Sequence, residues 1–303
     1  NSWYCNWASY TGEDNLDGHD PKWGYQGAWQ FAHDKIVAGP DNDLSQSAWY
    51  VMMSMLHETG WHDMGEIAGW EHRYSNHIKN ANPYSEAALW AENLGTYASN
   101  PTGCSLWDID EDGRDEAVIW NARVRAVFER IGGKANWIFA KGSGYGCSVV
   151  GNCNVYWAET AGDWNETNHT AALSDVSVGG IDREHDDYAF EVVSGSGSTV
   201  ELRLTHSGGV VEKRVSLTSG DPYLDVVYDV GGETAYIKSG WTPDLVDLIW
   251  DPELYRVWDP GTGSYCGQRN SSSGVTAAYV LTLRGATHNL TSTATLLEVD
   301  EIV

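Results

Sequence analysis

Apolar residues recur at helical spacing in the first third of the chain. One face of a predicted helix collects four apolar side chains, at i, i+3, i+4 and i+7: Trp49, Met52, Met53 and Leu56. We expect Asp41 or Asp43 to cap this helix. A helix is also predicted from Trp23 to Ala38, where Gly39-Pro40 ends it, and another opens at Asn82-Pro83 and runs to about residue 99.

Downstream of residue 117 the hydrophobic residues recur at every second position, which is typical of strands. Val124, Ala126 and Phe128 alternate with charged neighbours, Gly132-Gly133 turns the chain, and residues 136–139 return as the second arm of a hairpin. Glycine-rich turns separate the further predicted strands, at 188–193, 199–205, 210–217, 223–230, 234–238, 276–283 and 290–299. Residues 151–182 read as a long irregular insertion.

These two patterns predict an α+β chain with an N-terminal helical bundle followed by a large antiparallel β-sandwich. We place a helical region at 1–102 and the β-sandwich domain at 103–303. With 303 residues, of which 42% are hydrophobic, the chain is long enough for two domains or one large one.

An acidic stretch lies at this predicted boundary. Asp108, Asp110 and Asp112 occupy every second position, and Gly113, Asp115 and Glu116 follow. A tight loop with this spacing can turn three to five carboxylates onto one hard cation, and oxygen ligands at short range favour Ca²⁺. Without a cation these acids repel one another. We therefore predict a calcium site formed by five acidic residues: Asp108, Asp110, Asp112, Asp115 and Glu116.

The loop is not an EF-hand, because Ile119 stands where the twelfth-position acid would be. It is similar to the Asp-x-Asp-x-Asp-Gly loops that begin a strand in many extracellular proteins. The alternative is an acidic turn in contact with solvent. A zinc site around His57 and His62 is disfavoured, since the two histidines are five residues apart across an expected helix end, whereas the zinc helix motif needs four.

The overall charge excludes one class of partner. Eighteen basic and 43 acidic residues give a net charge of −25, so we expect no nucleic-acid partner, because phosphate binding needs a basic face. We expect no membrane span, since no apolar run of sufficient length occurs. The chain begins at Asn1 without a methionine, and we expect a processed product.

Cysteines and glycosylation signals point to an extracellular or cell-surface location. The five cysteines show no zinc spacing. The expected disulfide pairs are Cys147 with Cys153 and Cys5 with Cys104, which leaves Cys266 unpaired. The alternative is five buried free thiols. The chain also carries four Asn-x-Ser/Thr acceptors for glycosylation, at Asn165, Asn168, Asn270 and Asn289.

Aromatic composition adds a candidate ligand. The chain has 16 Trp and 16 Tyr but only four Phe. Tryptophan and tyrosine offer flat apolar faces with a polar edge, and sugar rings stack on such faces. The alternative is that most of them are core residues.

Three stretches taken together resemble the region downstream of the catalytic barrel in glycoside hydrolase family 57 and related α-glucan-acting enzymes. They are Met55–His62 with Trp70-Glu71 following, Asp108–Trp120 with the next hairpin strand, and Asp163–Val176. In that family a helical bundle precedes a β-rich C-terminal domain. The resemblance covers roughly residues 43–240.

The resemblance implies a carbohydrate association without catalytic residues. The family's nucleophile and acid–base residues lie in a (β/α) barrel, and no stretch of this sequence matches one, so no catalytic role is carried over. The resemblance points to Trp61, Trp70 and Glu71 as residues facing a sugar cleft, and Trp164 and His169 complete the candidate sugar-binding set.

Two hypotheses follow. The chain is either the non-catalytic part of a family-57-like glycosidase that binds Ca²⁺ and α-glucan, or a non-catalytic surface or filament-forming module. In both, an apolar helical face needs a cover, by the N-terminal segment Trp3–Trp29, by a partner chain or by self-association. A minor alternative is hydrolysis by a carboxylate pair, with four candidate acids: Glu58, Asp63, Glu71 and Asp175.

Overall fold

The computed structural model describes the chain in segments. The described residues are 25–59, 81–109, 114–141, 146–151, 172–183, 186–231, 233, 235–238, 268–270, 276–281 and 296–299. Within them the chain is mostly β, with helices confined to the first hundred residues.

The helices lie before the first strand. They are α1 (Tyr25–Ala38), α2 (Asp43–Thr59), α3 (Ala81–Ala91) and the single turn α4 (Thr96–Ser99). Gly39-Pro40 ends α1 as predicted. The cap of α2 is Asn42 rather than Asp41 or Asp43: its Oδ1 accepts from the backbone N–H groups of Leu44 and Ser45, both at 3.1 Å.

Five antiparallel strands form the first sheet, in the order β1-β2-β3-β4-β5. They are β1 (Gly103–Trp107), β2 (Glu116–Trp120), β3 (Val124–Glu129), β4 (Lys134–Lys141) and β5 (Gly146–Gly151). The predicted hairpin of β3 and β4 is confirmed: Val127 lies opposite Trp137, and the register shifts between Val127 and Phe128. This shift brings Asn136 into β4 as an extra residue.

Seven strands form the second sheet, in the order β12-β13-β14-β10-β9-β8-β7. They are β7 (Tyr188–Ser194), β8 (Thr199–His206), β9 (Glu212–Thr218), β10 (Tyr223–Asp229), β12 (Gln268–Asn270), β13 (Thr276–Leu281) and β14 (Leu296–Val299). A small sheet pairs β6 (Ser174–Val178) with β11 (Ala235–Lys238). All pairs in these sheets are antiparallel.

Two apolar cores divide the described chain into layers. The inter-sheet core lies between the first and second sheets; the first contributes residues such as Ile119, Ala126, Phe128 and Ile138, and the second Leu202, Val215, Leu217 and Leu224. The helix-facing core lies on the other side of the first sheet and joins Ile36, Met52 and Trp90 to Val118, Val127, Trp137 and Phe139.

The expected N-terminal helical bundle is wrong. Within the described residues α1, α2 and α3 do contact one another, but their apolar faces close on the first sheet rather than on a fourth long helix. The Tyr84 ring packs edge-on against Phe139 at 5.2 Å, and Trp90 Nε1 donates to the Asn121 carbonyl at 2.7 Å. Of the predicted stripe, Met52 is buried in the helix-facing core and Trp49 packs against this core, but Met53 is 53% exposed.

No helix among the described residues combines the length and apolar character needed to cross a bilayer.

Candidate functional site

The acidic loop connects the first two strands of the first sheet. Trp107, the last residue of β1, lies opposite Glu116, the first residue of β2, so residues 108–115 close the hairpin. Asp108 is half-buried beside this closing pair, whereas Arg114 and Asp115 are exposed. Asp110 and Asp112 lie outside the described residues.

Glu116 anchors the loop from below. Its side chain is buried, and its Oε2 accepts from the backbone N–H of Ile109 at 2.7 Å. The Ile109 side chain is fully buried in the helix-facing core. The start of the loop therefore folds back over the Glu116 carboxylate, which brings this carboxylate next to the Asp108 backbone.

This arrangement fits an oxygen-ligated cation. A carboxylate oxygen has two lone pairs, so Glu116 can accept the Ile109 N–H and still face a cation in the loop. A hard cation such as Ca²⁺ takes six to eight oxygens from carboxylates, carbonyls and water. Among the described residues no three His, Cys, Asp or Glu side chains converge on one point, and two of the predicted ligands fall in the gap at 110–113.

A second polar centre lies in the inter-sheet core, around Lys213 of β9. The Lys213 side chain is completely buried. Its Nζ lies 2.8 Å from Asp175 Oδ2 and donates to three backbone carbonyls, those of Gly133 at 2.7 Å, Leu173 at 2.9 Å and Gly132 at 3.0 Å. One side chain thus joins β9 to β6 and to the turn between β3 and β4.

Two tyrosines flank this lysine. Nζ lies 4.8 Å from the centre of the Tyr188 ring and 5.5 Å from that of Tyr228. The Tyr188 hydroxyl donates to Asp175 Oδ2 at 2.5 Å, and the Tyr228 hydroxyl donates to the Leu173 carbonyl at 3.3 Å. The other carboxylate oxygen, Asp175 Oδ1, is buried without a hydrogen-bond partner.

The backbone around Lys213 is held in unusual conformations. Leu173 has a φ of 66°, a region that bulky residues rarely adopt, and its carbonyl points at Lys213. Gly133 has a φ of 50°, and a Cβ built there would lie 2.7 Å from the Tyr188 ring. The turn therefore needs glycine both for its conformation and for its close approach to Tyr188.

Burial favours the uncharged form of both Asp175 and Lys213. Desolvation raises the pKa of Asp175, although Lys213 and Tyr188 act against this rise. Desolvation lowers the pKa of Lys213, against the influence of Asp175. Burial, together with the nearby Asp175 carboxylate, raises the pKa of the Tyr188 hydroxyl, which therefore keeps its proton.

A histidine, His206, lies beside this centre in contact with Tyr188. The His206 ring packs edge-on against Tyr188 at 5.3 Å, its Nδ1 accepts from the Gly208 N–H at 2.9 Å, and its Nε2 lies 2.8 Å from Asp186 Oδ2. The backbone donor at Nδ1 leaves Nε2 to carry the proton. Burial acts to raise the pKa of Asp186, but hydrogen bonds from His206 and Arg183 outweigh it and lower that pKa.

The Lys213 centre was missed by the sequence analysis, although a signal existed. Lys213 falls in a charged run, but it shares strand parity with Val211, Val215 and Leu217, all of which are buried. That parity places its side chain on the inner face of the sheet. Asp175, one of the four acids considered for hydrolysis, is buried against Lys213 and is therefore not accessible to a glycan.

Cys104 lies in the inter-sheet core as a free, buried thiol. Cys5, its predicted disulfide partner, is outside the described residues. Burial raises the pKa of this thiol to about 12, and it acts as a small apolar side chain. Cys147 lies in β5, but its side chain and all of Cys153 are outside the described residues.

The remaining predicted site residues are not among those the structure describes. These are the sugar-binding candidates Trp61, Trp70, Glu71, Trp164 and His169, and the acceptors Asn165, Asn168 and Asn289. The backbone of Asn270 ends β12.

Comparisons with protein-family models, with curated proteins and with solved structures gave no match to this chain.

Proposed function

We propose that this chain is a non-catalytic, calcium-binding module of an extracellular carbohydrate-associated protein. The observation that carries the proposal is the buried Glu116 carboxylate beneath the acidic loop, held by the Ile109 N–H at 2.7 Å. A carboxylate held at the base of a loop with four further aspartates supplies an oxygen ligand of the kind that Ca²⁺ prefers. A calcium ion bound in the loop would use this carboxylate together with the loop aspartates.

The proposed ligands are Asp108, Asp110 and Asp112 with Glu116 at the base. Asp115 is exposed and would be an outer ligand at most. In this role the ion would be structural: it would fix the first hairpin, whose other end contacts the helices through Trp120 and Asn121.

Calorimetric titration of the full chain with Ca²⁺ tests the proposal. We expect one site, with Mg²⁺ binding more weakly because Mg²⁺ demands near-ideal octahedral geometry and gives up its water reluctantly, whereas Ca²⁺ accepts six to eight oxygen ligands in variable geometry. The double variant Asp110→Asn, Asp112→Asn should lose the binding heat. A matched control, Asp41→Asn, removes an exposed acid outside the loop and should bind as the wild type does. Equal binding by the loop variant would sink the proposal.

The carbohydrate part of the proposal rests on the family resemblance and on the aromatic composition. The candidate partner is an α-glucan, bound through Trp61, Trp70, Glu71, Trp164 and His169. Affinity electrophoresis in gels with and without soluble starch measures this directly. Trp61→Ala and Trp70→Ala should abolish the retardation, whereas Tyr50→Ala, which removes an exposed aromatic ring from α2, should not. Migration unaffected by starch in the wild type would refute sugar binding.

The second candidate, a surface or filament-forming module, predicts self-association. Val37, Tyr50 and Met53 are exposed on the helical layer. Light scattering on the purified chain separates the two: a glucan-binding module that is covered by its own N-terminal segment stays monomeric, whereas a structural module forms oligomers.

A further inference from the structure

The Lys213 centre holds an amine and a carboxyl group against each other in a space closed to solvent. Nζ and Asp175 Oδ2 are 2.8 Å apart, and both side chains are at most 1% exposed. Oδ2 is bonded to the carboxyl carbon of Asp175, Cγ, so Nζ lies next to the carbon that a nucleophile would attack. No external substrate can enter, so the chemistry available to this pair is with each other.

We propose that Lys213 and Asp175 are joined by an intramolecular amide bond between Nζ and Cγ. The bond would connect β6 of the small sheet to β9 of the second sheet. It would replace the ion pair through which Lys213 otherwise holds Asp175. A cross-link of this kind restricts the unfolded chain as a disulfide does, and it does not depend on redox conditions.

Burial prepares both groups for the reaction. An ammonium cannot attack, and a carboxylate resists attack, so the pair must exchange a proton to become an amine and a carboxylic acid. Desolvation drives that exchange, because it raises the pKa of Asp175 and lowers that of Lys213. The two tyrosine rings and the inter-sheet core keep water out.

The reaction balances without an oxidant or an added reagent. The Nζ lone pair attacks Cγ and forms the C–N bond, and the C–Oδ2 bond breaks. Oδ2 leaves as water with the proton of the carboxylic acid and one proton from Nζ. The Tyr188 hydroxyl, 2.5 Å from Oδ2, donates a hydrogen bond to the oxygen that leaves and so supports its departure.

The surrounding carbonyls match the products. The amide nitrogen retains one proton, which the Gly133 carbonyl can accept at the shortest of the three distances, 2.7 Å. The water that forms has two protons, the number needed by the Gly132 and Leu173 carbonyls, which both accept from Nζ beforehand. The left-handed conformation of Leu173 directs its carbonyl to this point.

The intact mass of the reduced, unglycosylated full chain tests the proposal. We expect a mass lower than the sequence mass by one water, and a protease digest should yield one branched peptide that joins Lys213 to Asp175. Lys213→Met and Asp175→Ala should restore the full sequence mass. Lys134→Met, which alters another buried lysine, should retain the loss. Tyr188→Phe keeps the ring but removes the donor, and should contain a mixture of joined and unjoined chains.

The wild-type chain alone can overturn the proposal, so the folding of the variants is not decisive. A folded wild-type chain with the full sequence mass would refute it. Loss of one water located elsewhere would refute it as well, for example ring closure at Asp112-Gly113, and peptide sequencing distinguishes that product from the branched peptide.

Discussion

The first and second sheets bury their residues differently. Every residue of β2 and β3 is buried, because helices cover one face of the first sheet and the second sheet covers the other. On β8 and β9 buried and more exposed residues alternate, because the described helices cover only the first sheet. A polar residue in the first sheet must find its partners inside the protein, whereas half of the second sheet faces water.

Charged residues illustrate this difference. On the outer face of the second sheet Arg203 pairs with Glu191 at 2.8 Å, and Arg214 pairs with Glu212 at 2.7 Å, in the solvent-exposed geometry that contributes little to stability. In the first sheet Arg125 is completely buried, where its Nε donates to the Tyr97 hydroxyl at 3.0 Å. The same residue type is therefore replaceable in one sheet and structural in the other.

The largest expected effect compares two glycine turns, one in each sheet. Gly133→Ala adds a Cβ 2.7 Å from the Tyr188 ring at a φ of 50°, so conformational strain and a steric clash add, and we expect a loss of about 2–4 kcal/mol. Gly220→Ala, at a φ of 84° with open space around it, should lose only about 1 kcal/mol. Urea denaturation measures both. Equal losses would show that the turn at Gly133 is not packed as described.

A smaller effect compares two valines. Val118→Ala deletes two methyl groups from the helix-facing core, and should destabilise by about 2 kcal/mol. Val227 lies on the outer face of β10 and is 57% exposed, so Val227→Ala should change stability by about 0.5 kcal/mol or less. Denaturant midpoints at constant slope report the difference. A large loss at Val227 would mean that this face is covered in solution.

The smallest expected effect is a loss of folding stability at low pH. Asp186 has a folded pKa below its unfolded value of about 3.9, so its stabilising contribution is complete above that value and is lost as the pH falls through the folded pKa. Asp186→Asn removes the contribution. The free energies of unfolding of the wild type and this variant should therefore differ at neutral pH and converge as the pH falls below the folded pKa of Asp186.

The matched control for this prediction is Asp187→Asn, which alters the neighbouring, more exposed acid. A difference between wild type and Asp186→Asn that stays constant from pH 7 to the lowest pH at which both chains fold would contradict the assignment of this shift to Asp186.

Strands with alternating burial could be predicted from the sequence, and the reason is physical. Strands β7, β8 and β10 begin within one residue of their predicted positions. A strand with one face in water alternates apolar and polar residues, and this alternation is visible in the sequence. Strands β1, β5 and β6 were not predicted. For β1 the buried pattern is Gly103 and Cys104 followed by three half-buried residues, which carries no such period.

It was harder to predict which element packs against a buried face than to predict which face is buried. The stripe of α2 correctly identified Met52 as buried but was wrong for Met53, which is exposed. Periodicity also does not show whether a helix or a sheet covers a buried face, and the predicted bundle was therefore wrong. The burial of Cys104 was not predicted either, because its spacing in the sequence does not show that it faces the inter-sheet core. Asp175 of β6 and Lys213 of β9 meet only through the tertiary fold, which no local pattern encodes.

The acidic loop is the most direct test of the account, because its prediction came from spacing and its base, Glu116, is now located. Thermal melting of the full chain with Ca²⁺ or with a chelator is the measurement. An ion at 100 times its dissociation constant adds about 2.7 kcal/mol to the free energy of unfolding. The account predicts that chelation lowers the melting temperature of the wild type and of Asp41→Asn but leaves Asp110→Ala unchanged. Identical melting of the wild type with and without the chelator would contradict it and leave the loop as an acidic turn.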